Sequence, residues 1–265
     1  MKIKIIRGAF LNPFELQNYN PLKKEHNVQA VSSQRPINEN IKLPLVKLWS
    51  PTDLPRFPYK YPILNRLFGD AHYLFGLSSV IGGSDIVHVA ETYYNYNRQA
   101  IKAKKQGEID KIISTAWEII PHNNETSIGR KKIKELSHNH IDHFIAVTNK
   151  AKEALIKEGV SKSRISVIPM GVDLHRFSPE YKKENNDITR VLFVGRLEPE
   201  KGVNELLQAF LRLKNEASKV ELTVIGSGSM SKEVKQSGVK IKSVSYSKIH
   251  KEYQKADIFC LLSKS

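Results

Sequence analysis

Arg196 and Lys201 flank Pro199 just beyond an apolar run, Val191 to Val194, that is closed by Gly195. A guanidinium binds two oxygens at once and an ammonium adds a mobile point charge, so the pair suits a diphosphate. Gly195 and Gly202 carry no Cβ and would let backbone come close to such a ligand. On two cations alone, a surface turn with solvated charges is the simpler reading.

The surrounding elements decide what these cations face. Val191 to Val194 has the β-branched and aromatic composition of a strand buried on both faces of a parallel sheet. Val203, Leu206, Leu207, Phe210 and Leu213 recur at helical spacing and form one face packed on that sheet. Val220 to Ile225 is a second strand of the same kind, completing a β-α-β unit with a right-handed crossover. Ligands of such sheets collect at the carboxyl ends of strands. Gly226 and Gly228 follow the second strand, but Ser231 stands where a dinucleotide fingerprint needs its third glycine.

The first part of the chain repeats the pattern. Ile3 to Ile6 reads as a strand that empties into a loop containing Gly8. Further strands are predicted over 28–32, 41–48, 85–90, 111–115, 144–147 and 165–168, with helices over 99–106, 130–143 and 150–158. Val239 to Val244 and Ile258 to Leu262 complete the strands of the second part.

Several blocks in this order resemble glycosyltransferase family 4, retaining enzymes of the GT-B fold that use nucleotide sugars. The resemblance is carried by Phe193-Val194-Gly195-Arg196-Leu197 with Glu200-Lys201-Gly202, and by Ile168-Pro169-Met170-Gly171-Val172-Asp173 ending at Phe177. Ile225-Gly226-Ser227-Gly228 and Tyr253-Gln254-Lys255-Ala256-Asp257-Ile258-Phe259 extend it. It implies an α/β chain with two Rossmann-like parallel-sheet domains facing a cleft. The acceptor-side domain would span 1–175, a linker 176–189, and an incomplete donor-binding domain 190–265.

The implied reaction is transfer of a hexosyl group, with retention, from a nucleotide-diphosphate sugar to a saccharide or lipid-linked acceptor. Arg196 and Lys201 would be catalytic, stabilising charge on the leaving diphosphate. Gly8, Gly195, Gly226 and the backbone at Val244 would also meet the donor. Many family members place a histidine near the reacting sugar after the strand over 111–115; here Trp117 and Glu118 follow it. A tryptophan stacks on sugar rings and a carboxylate binds or deprotonates a hydroxyl, so both are assigned to the acceptor, Glu118 with a catalytic role. Glu91 joins them, or else serves as an acid at a helix N-terminus. Asn12 faces the acceptor or simply caps a turn, capping being the simpler role. The family's paired glutamates, which follow this point, are not reached before Ser265; the expectation is a fragment or a truncated gene product, with one apolar sheet edge left unpaired.

Composition narrows the alternatives. The formal net charge is +15 over 265 residues, which suggests an anionic partner. That charge is spread along the chain and no helix-turn-helix, zinc or RNA-binding motif appears, which weighs against a nucleic-acid-binding protein. An inactive, truncated relative retained as a subunit is the other alternative. No Asp-x-Asp pair is present, so no metal is expected, and no cofactor beyond the donor sugar. His138, His140 and His143, with Asp142, offer two pairs of metal-ligand type on one basic helix, but the pairs point in different directions and solvated histidines are the simpler reading. Cys260 is the only cysteine, which excludes an intrachain disulfide and suits a reducing interior; it is expected to be buried in a strand. No signal peptide or long apolar run is present, so a cytoplasmic protein is expected, with any membrane contact peripheral and at the cytoplasmic face. Trp49 to Phe75 interleaves aromatics with Arg56, Lys60 and Arg66, as an anchor on anionic lipid or as an ordinary loop and core-facing helix.

Overall fold

A computed structural model describes residues 1–125, 127–179, 187–216 and 219–263. The chain divides into two compact units, Met1–Gly171 and Val172–Ser265, each built on its own parallel sheet. Residues 180–186 of the expected linker lie outside the described residues.

In the first unit the strands are β1 (Lys2–Gly8), β2 (Asn27–Ser33), β3 (Leu45–Leu48), β4 (Ser84–Ala90), β5 (Ile109–Ala116), β6 (His143–Ala146) and β7 (Ile165–Val167). Their order is β3-β2-β1-β4-β5-β6-β7, every pair parallel. The helices are α1 (Pro13–Leu16), α2 (Lys60–Phe68), α3 (Leu77–Ile81), α4 (Asn95–Lys105), α5 (Ile128–His140) and α6 (Asn149–Lys157). Alternation along β1 sends Ile3 and Ile5 into one core with Leu11, Leu16 and Leu43, and Ile6 into the other. Because the sheet grows outward in both directions from β1 and β4, the crevice beyond their carboxyl ends is where such a sheet takes ligands.

The second unit contains β8 (Thr189–Val194), α7 (Val203–Asn215), β9 (Val220–Ile225), α8 (Ser231–Gln236), β10 (Lys240–Lys242), α9 (Ile249–Lys255) and β11 (Ile258–Phe259). The sheet order is β10-β9-β8-β11, all parallel. Phe193 packs under α7 while its neighbour Leu192 packs on the other face with Ile249, so both faces of β8 are covered. Burying a side chain such as Phe193 contributes roughly 1.5–3 kcal/mol. The chain leaves β9 for β10 on one side and returns on the other side of β8 as β11, so the crevice between β8 and β11 is the switch point of this sheet.

Several boundaries differ from the sequence reading. The strand expected over 41–48 is only Leu45–Leu48, because Leu43 turns into the core and Pro44 has no N–H to give a ladder. The helix expected over 130–143 ends at His140, where buried Ile141 is extended, and His143 opens β6. His140 and His143 therefore lie on different elements, and no group of metal-binding side chains occurs among the described residues. Leu213 is exposed although Val203, Leu206, Leu207 and Phe210 are buried. Cys260 is half-buried and lies just past β11, an edge strand whose Ile258 and Phe259 are exposed.

Gly226 is the tightest joint in the second unit. It has φ +147°, and a Cβ there would fall 1.8 Å from the Gly195 carbonyl oxygen. Gly238 also has positive φ, +73°, but faces open space. Gly238→Ala is expected to cost about 1–2 kcal/mol, the backbone term alone. Gly226→Ala should cost clearly more, by roughly a further 1–3 kcal/mol of overpacking; urea unfolding followed by amide exchange in β8 and β9 measures both.

Candidate functional site

Beside the switch point of the second sheet, the loops after β8 and β9 are stitched together by backbone. Gly195 N–H donates to Ile225 O at 3.0 Å, Leu197 N–H to Ser227 O at 3.0 Å, and Met230 N–H to Leu197 O at 2.9 Å. Glu198 adds a side-chain clamp, accepting from the Ser229 N–H at 3.1 Å and hydroxyl at 2.5 Å. Those bonds hold its carboxyl below the usual range. The close approach at Gly226 is thus filled by Gly195, and a Cβ on Gly202 would meet the Leu262 carbonyl at 2.3 Å. Gly226 is needed for chain to approach chain between the loops after β8 and β9, and Gly202 for the approach to the chain after β11.

The clamped loop presents Arg196 outward, its side chain 68% exposed and one guanidinium nitrogen 3.0 Å from Glu200. An exposed pair of this kind contributes about 0–1 kcal/mol, so it opens readily. Lys201 reaches the other side of the switch point, donating to the Ser263 hydroxyl after β11 at 3.1 Å. Val244 lies beyond β10 and packs beside Leu192, Ile225 and Ile249.

In the first unit the carboxyl ends of β1, β4 and β5 converge on buried polar groups. Glu91 follows β4 in left-handed conformation, φ 52°, rare for a residue with a side chain. Its Oε1 accepts from the Trp117 N–H at 3.0 Å, while Oε2 is buried with no partner among the described residues. Burial, opposed by that N–H and aided by the Glu118 charge, pushes its carboxyl up to about 8. With Oε1 taken, the proton it retains near neutral pH belongs on Oε2. Trp117 is half-buried against the core, with the Arg7 guanidinium 5.8 Å from its ring.

Glu118 and Asn12 are engaged by their own loops. The Glu118 carboxylate accepts from the N–H groups of Ile119 and Ile120 at 3.0 and 2.9 Å and from the amides of Asn123 and Asn124 at 2.6 and 3.2 Å. Asn12 caps α1, its side chain accepting from the Glu15 N–H at 3.0 Å, and Gly8 ends β1 with φ 52° beside Tyr96.

Two buried groupings escaped the sequence reading. Arg7 is fully buried: it pairs with Glu15, donates to Ile6 O at 2.8 Å and to the Tyr19 hydroxyl at 2.9 Å, and lies 3.4 Å from His88 Nδ1. Burial alone would favour its neutral form, but Glu15 and the Tyr19 and Tyr96 hydroxyls outweigh it and keep Arg7 charged. Burial and that same charge hold His88 well below the usual imidazole range, and its Nε2 lies 2.9 Å from the Thr115 hydroxyl. The signal was an arginine inside the apolar β1. In the second grouping, Asp70 takes the His72 Nδ1 at 3.0 Å and Arg130 Nε at 2.8 Å. His72 stacks on Phe10, with Nε2 buried and unpartnered among the described residues. Nothing in Asp70-Ala71-His72 marks this from sequence.

With this geometry in view, comparison with known proteins is specific. The model of Glycosyltransferase Family 4 matches residues 22–176, and that of Glycosyl transferases group 1 matches residues 176–265. The chain is 30% identical over 125 residues to the phosphatidylinositol N-acetylglucosaminyltransferase GPI3 subunit of Saccharomyces cerevisiae, covering 44% of this chain and 28% of that one. It is 30% identical over 92 residues to the lipopolysaccharide 1,2-N-acetylglucosaminetransferase of Salmonella typhimurium, covering 32% and 24%. The matches thus span about a quarter of the length of these curated relatives. Among solved structures, Anabaena HepE in complex with UDP and glucose superposes with a TM-score of 0.73 at 15% identity, over 100% of this chain and 75% of that one. The lipopolysaccharide outer core galactosyltransferase WaaB, in its apo form, does so at 0.62 and 18%, over 99% and 74%. Both likenesses are of fold.

Glu91 provides a pH test of the first unit. Its folded-state value lies above the ordinary 4.5, so its contribution to stability is fully present below 4.5 and is lost as pH rises through about 8. Urea unfolding at about pH 6 and about pH 9 should show the wild-type losing stability on the order of a few kcal/mol more than Glu91→Gln, whose neutral amide does not titrate.

Proposed function

Since the chain belongs to Glycosyltransferase Family 4, we propose that it takes part in transferring a sugar from a nucleotide-diphosphate donor, with retention, to a saccharide or lipid-linked acceptor. The observation that carries this is the position of Arg196 and Lys201 at the switch point between β8 and β11. Arg196 leaves its exposed partner Glu200 and forks onto the diphosphate, while Lys201 approaches from the β11 side. Both cations then stabilise the charge that grows on the leaving group as the glycosidic bond to the diphosphate breaks. The backbone at Gly195, Gly226 and Val244 lines the nucleotide.

The second unit holds the donor and the first receives the acceptor. Glu91, protonated on Oε2, donates to one acceptor oxygen, and Trp117 offers a ring edge beside it. His72 Nδ1 is engaged by Asp70 at 3.0 Å, and its Nε2, without a partner among the described residues, hydrogen-bonds a second hydroxyl. Glu118 and Asn12 hold the loops that shape this end of the sheet. The phosphatidylinositol in the name of the GPI3 relative and the UDP and glucose in the HepE complex support a lipid acceptor and a nucleotide-sugar donor.

Calorimetric titration with UDP tests the donor half. A charge-assisted hydrogen bond contributes about 1.5–3 kcal/mol, so Arg196→Ala should weaken UDP binding by roughly ten- to a hundredfold without lowering the unfolding midpoint. Unchanged UDP affinity in Arg196→Ala and Lys201→Ala, alongside salt-sensitive binding to mixed-sequence DNA, would instead favour a nucleic-acid-binding role.

A further inference from the structure

The aromatic stretch of the first unit separates into two populations. Trp49, Phe68, Tyr73 and Phe75 pack on one another, with ring centroids 4.9 to 6.4 Å apart. Phe57, Tyr59 and Tyr61 do not join them. From Leu54 to Ile63 every residue except Lys60 is exposed, and Tyr59 reaches 78%. Lys60 is turned inward, donating to Thr52 O at 2.8 Å and Leu54 O at 2.5 Å, and so fastens the base of this segment. Tyr59 precedes α2 at φ 55°, a conformation that side-chain-bearing residues avoid, yet its ring is turned to solvent.

A second exposed apolar segment lies at the far end of α2. A Cβ on Gly129 would lie 2.4 Å from the Gly69 Cα, so the end of α2 and the start of α5 touch backbone to backbone. Leu67 and Ile128 stand two and one residues from that contact and are 72% and 77% exposed. Both lie beside exposed cations, Arg66 on α2 and Lys131 and Lys132 on α5. Between Asp53 and Asp70, which are both buried, the sequence has no acidic residue. Glu135 is the acid on the exposed side of α5, about one turn beyond Lys131.

We propose that this face, residues 54–67 with the start of α5, docks the protein on an anionic phospholipid surface. Tyr59, Tyr61, Leu67 and Ile128 enter the headgroup boundary, and Arg66, Lys131 and Lys132 meet the lipid phosphates. Amphipathic rings and aliphatics flanked by cations are what an interfacial site needs, and the cations give it a preference for negative lipid. A second copy of the chain fits poorly, since a symmetric contact would set the cations of one copy against those of the other. For its purpose the inference rests on the lipid-linked acceptor of the functional reading; the geometry of the face does not depend on it.

Flotation of the full chain with vesicles tests it. Vesicles of phosphatidylcholine mixed with phosphatidylglycerol should carry the protein upward, those of phosphatidylcholine alone should not, and raising the salt should release it. Leu67→Ser should weaken binding by about tenfold and Arg66→Gln by about fivefold. Both changes are at exposed positions, and UDP titration of the same variants should match the wild-type. Failure to float with either vesicle, equal binding to both, or variants that bind as the wild-type does would overturn the proposal. A concentration-dependent dimer abolished by Leu67→Ser would overturn it in favour of a second copy. A protein that floats as expected but ignores UDP would count against the donor site and leave the docking face standing.

Discussion

The carbonyl oxygen of Gly195 occupies the space that a side chain on residue 226 would need. That approach, sealed by hydrogen bonds from Gly195 to Ile225 and from Leu197 to Ser227, makes the loops after β8 and β9 one rigid edge. The apolar core beneath cannot open to accommodate a change there, because Phe193 and Leu192 bury both faces of β8. From this edge Arg196 projects outward, its side chain 68% exposed. Lys201 is fixed in turn by the approach of Gly202 to the chain after β11. The exposed Arg196–Glu200 pair contributes little, so the guanidinium can leave it at small cost.

The first unit solves a different problem. Its strand ends carry buried polar groups, and burying a charge is costly unless it is paired. Arg7 meets that requirement with Glu15, Tyr19 and the Ile6 carbonyl, and Asp70 does so with His72, Arg130 and Asn95. Glu91 and His72 each keep one buried polar atom unpaired among the described residues, at a cost of roughly 1–3 kcal/mol apiece. Completed pairs hold the loops in place, and the uncompleted atoms leave part of that burial cost standing.

Sequence reasoning reached the parallel α/β architecture because strands buried on both faces are unbroken apolar runs and α7 keeps helical period from Val203 to Phe210. Arg196 and Lys201 were legible for a related reason: a cation just past such a run must lie at a strand's carboxyl end. Contacts distant in sequence were not legible. Nothing local says that Glu118 will be consumed by its own loop, that Asp70 will meet Arg130, or that Arg7 will sink beneath Trp117. Cys260 misled because an apolar run looks the same whether it forms an inner strand or an edge, and β11 is an edge. The Trp49–Phe75 stretch had two readings from composition, and composition does not show that Trp49, Phe68, Tyr73 and Phe75 pack on one another while Phe57, Tyr59 and Tyr61 between them stand apart in solvent.

A crystal structure of the chain soaked with UDP addresses the central claim most directly. The account predicts the pyrophosphate between β8 and β11, with the Arg196 guanidinium turned from Glu200 onto its oxygens and the Lys201 ammonium within hydrogen-bond distance. Nucleotide bound elsewhere, with Arg196 still on Glu200 and Lys201 still on Ser263, would contradict it.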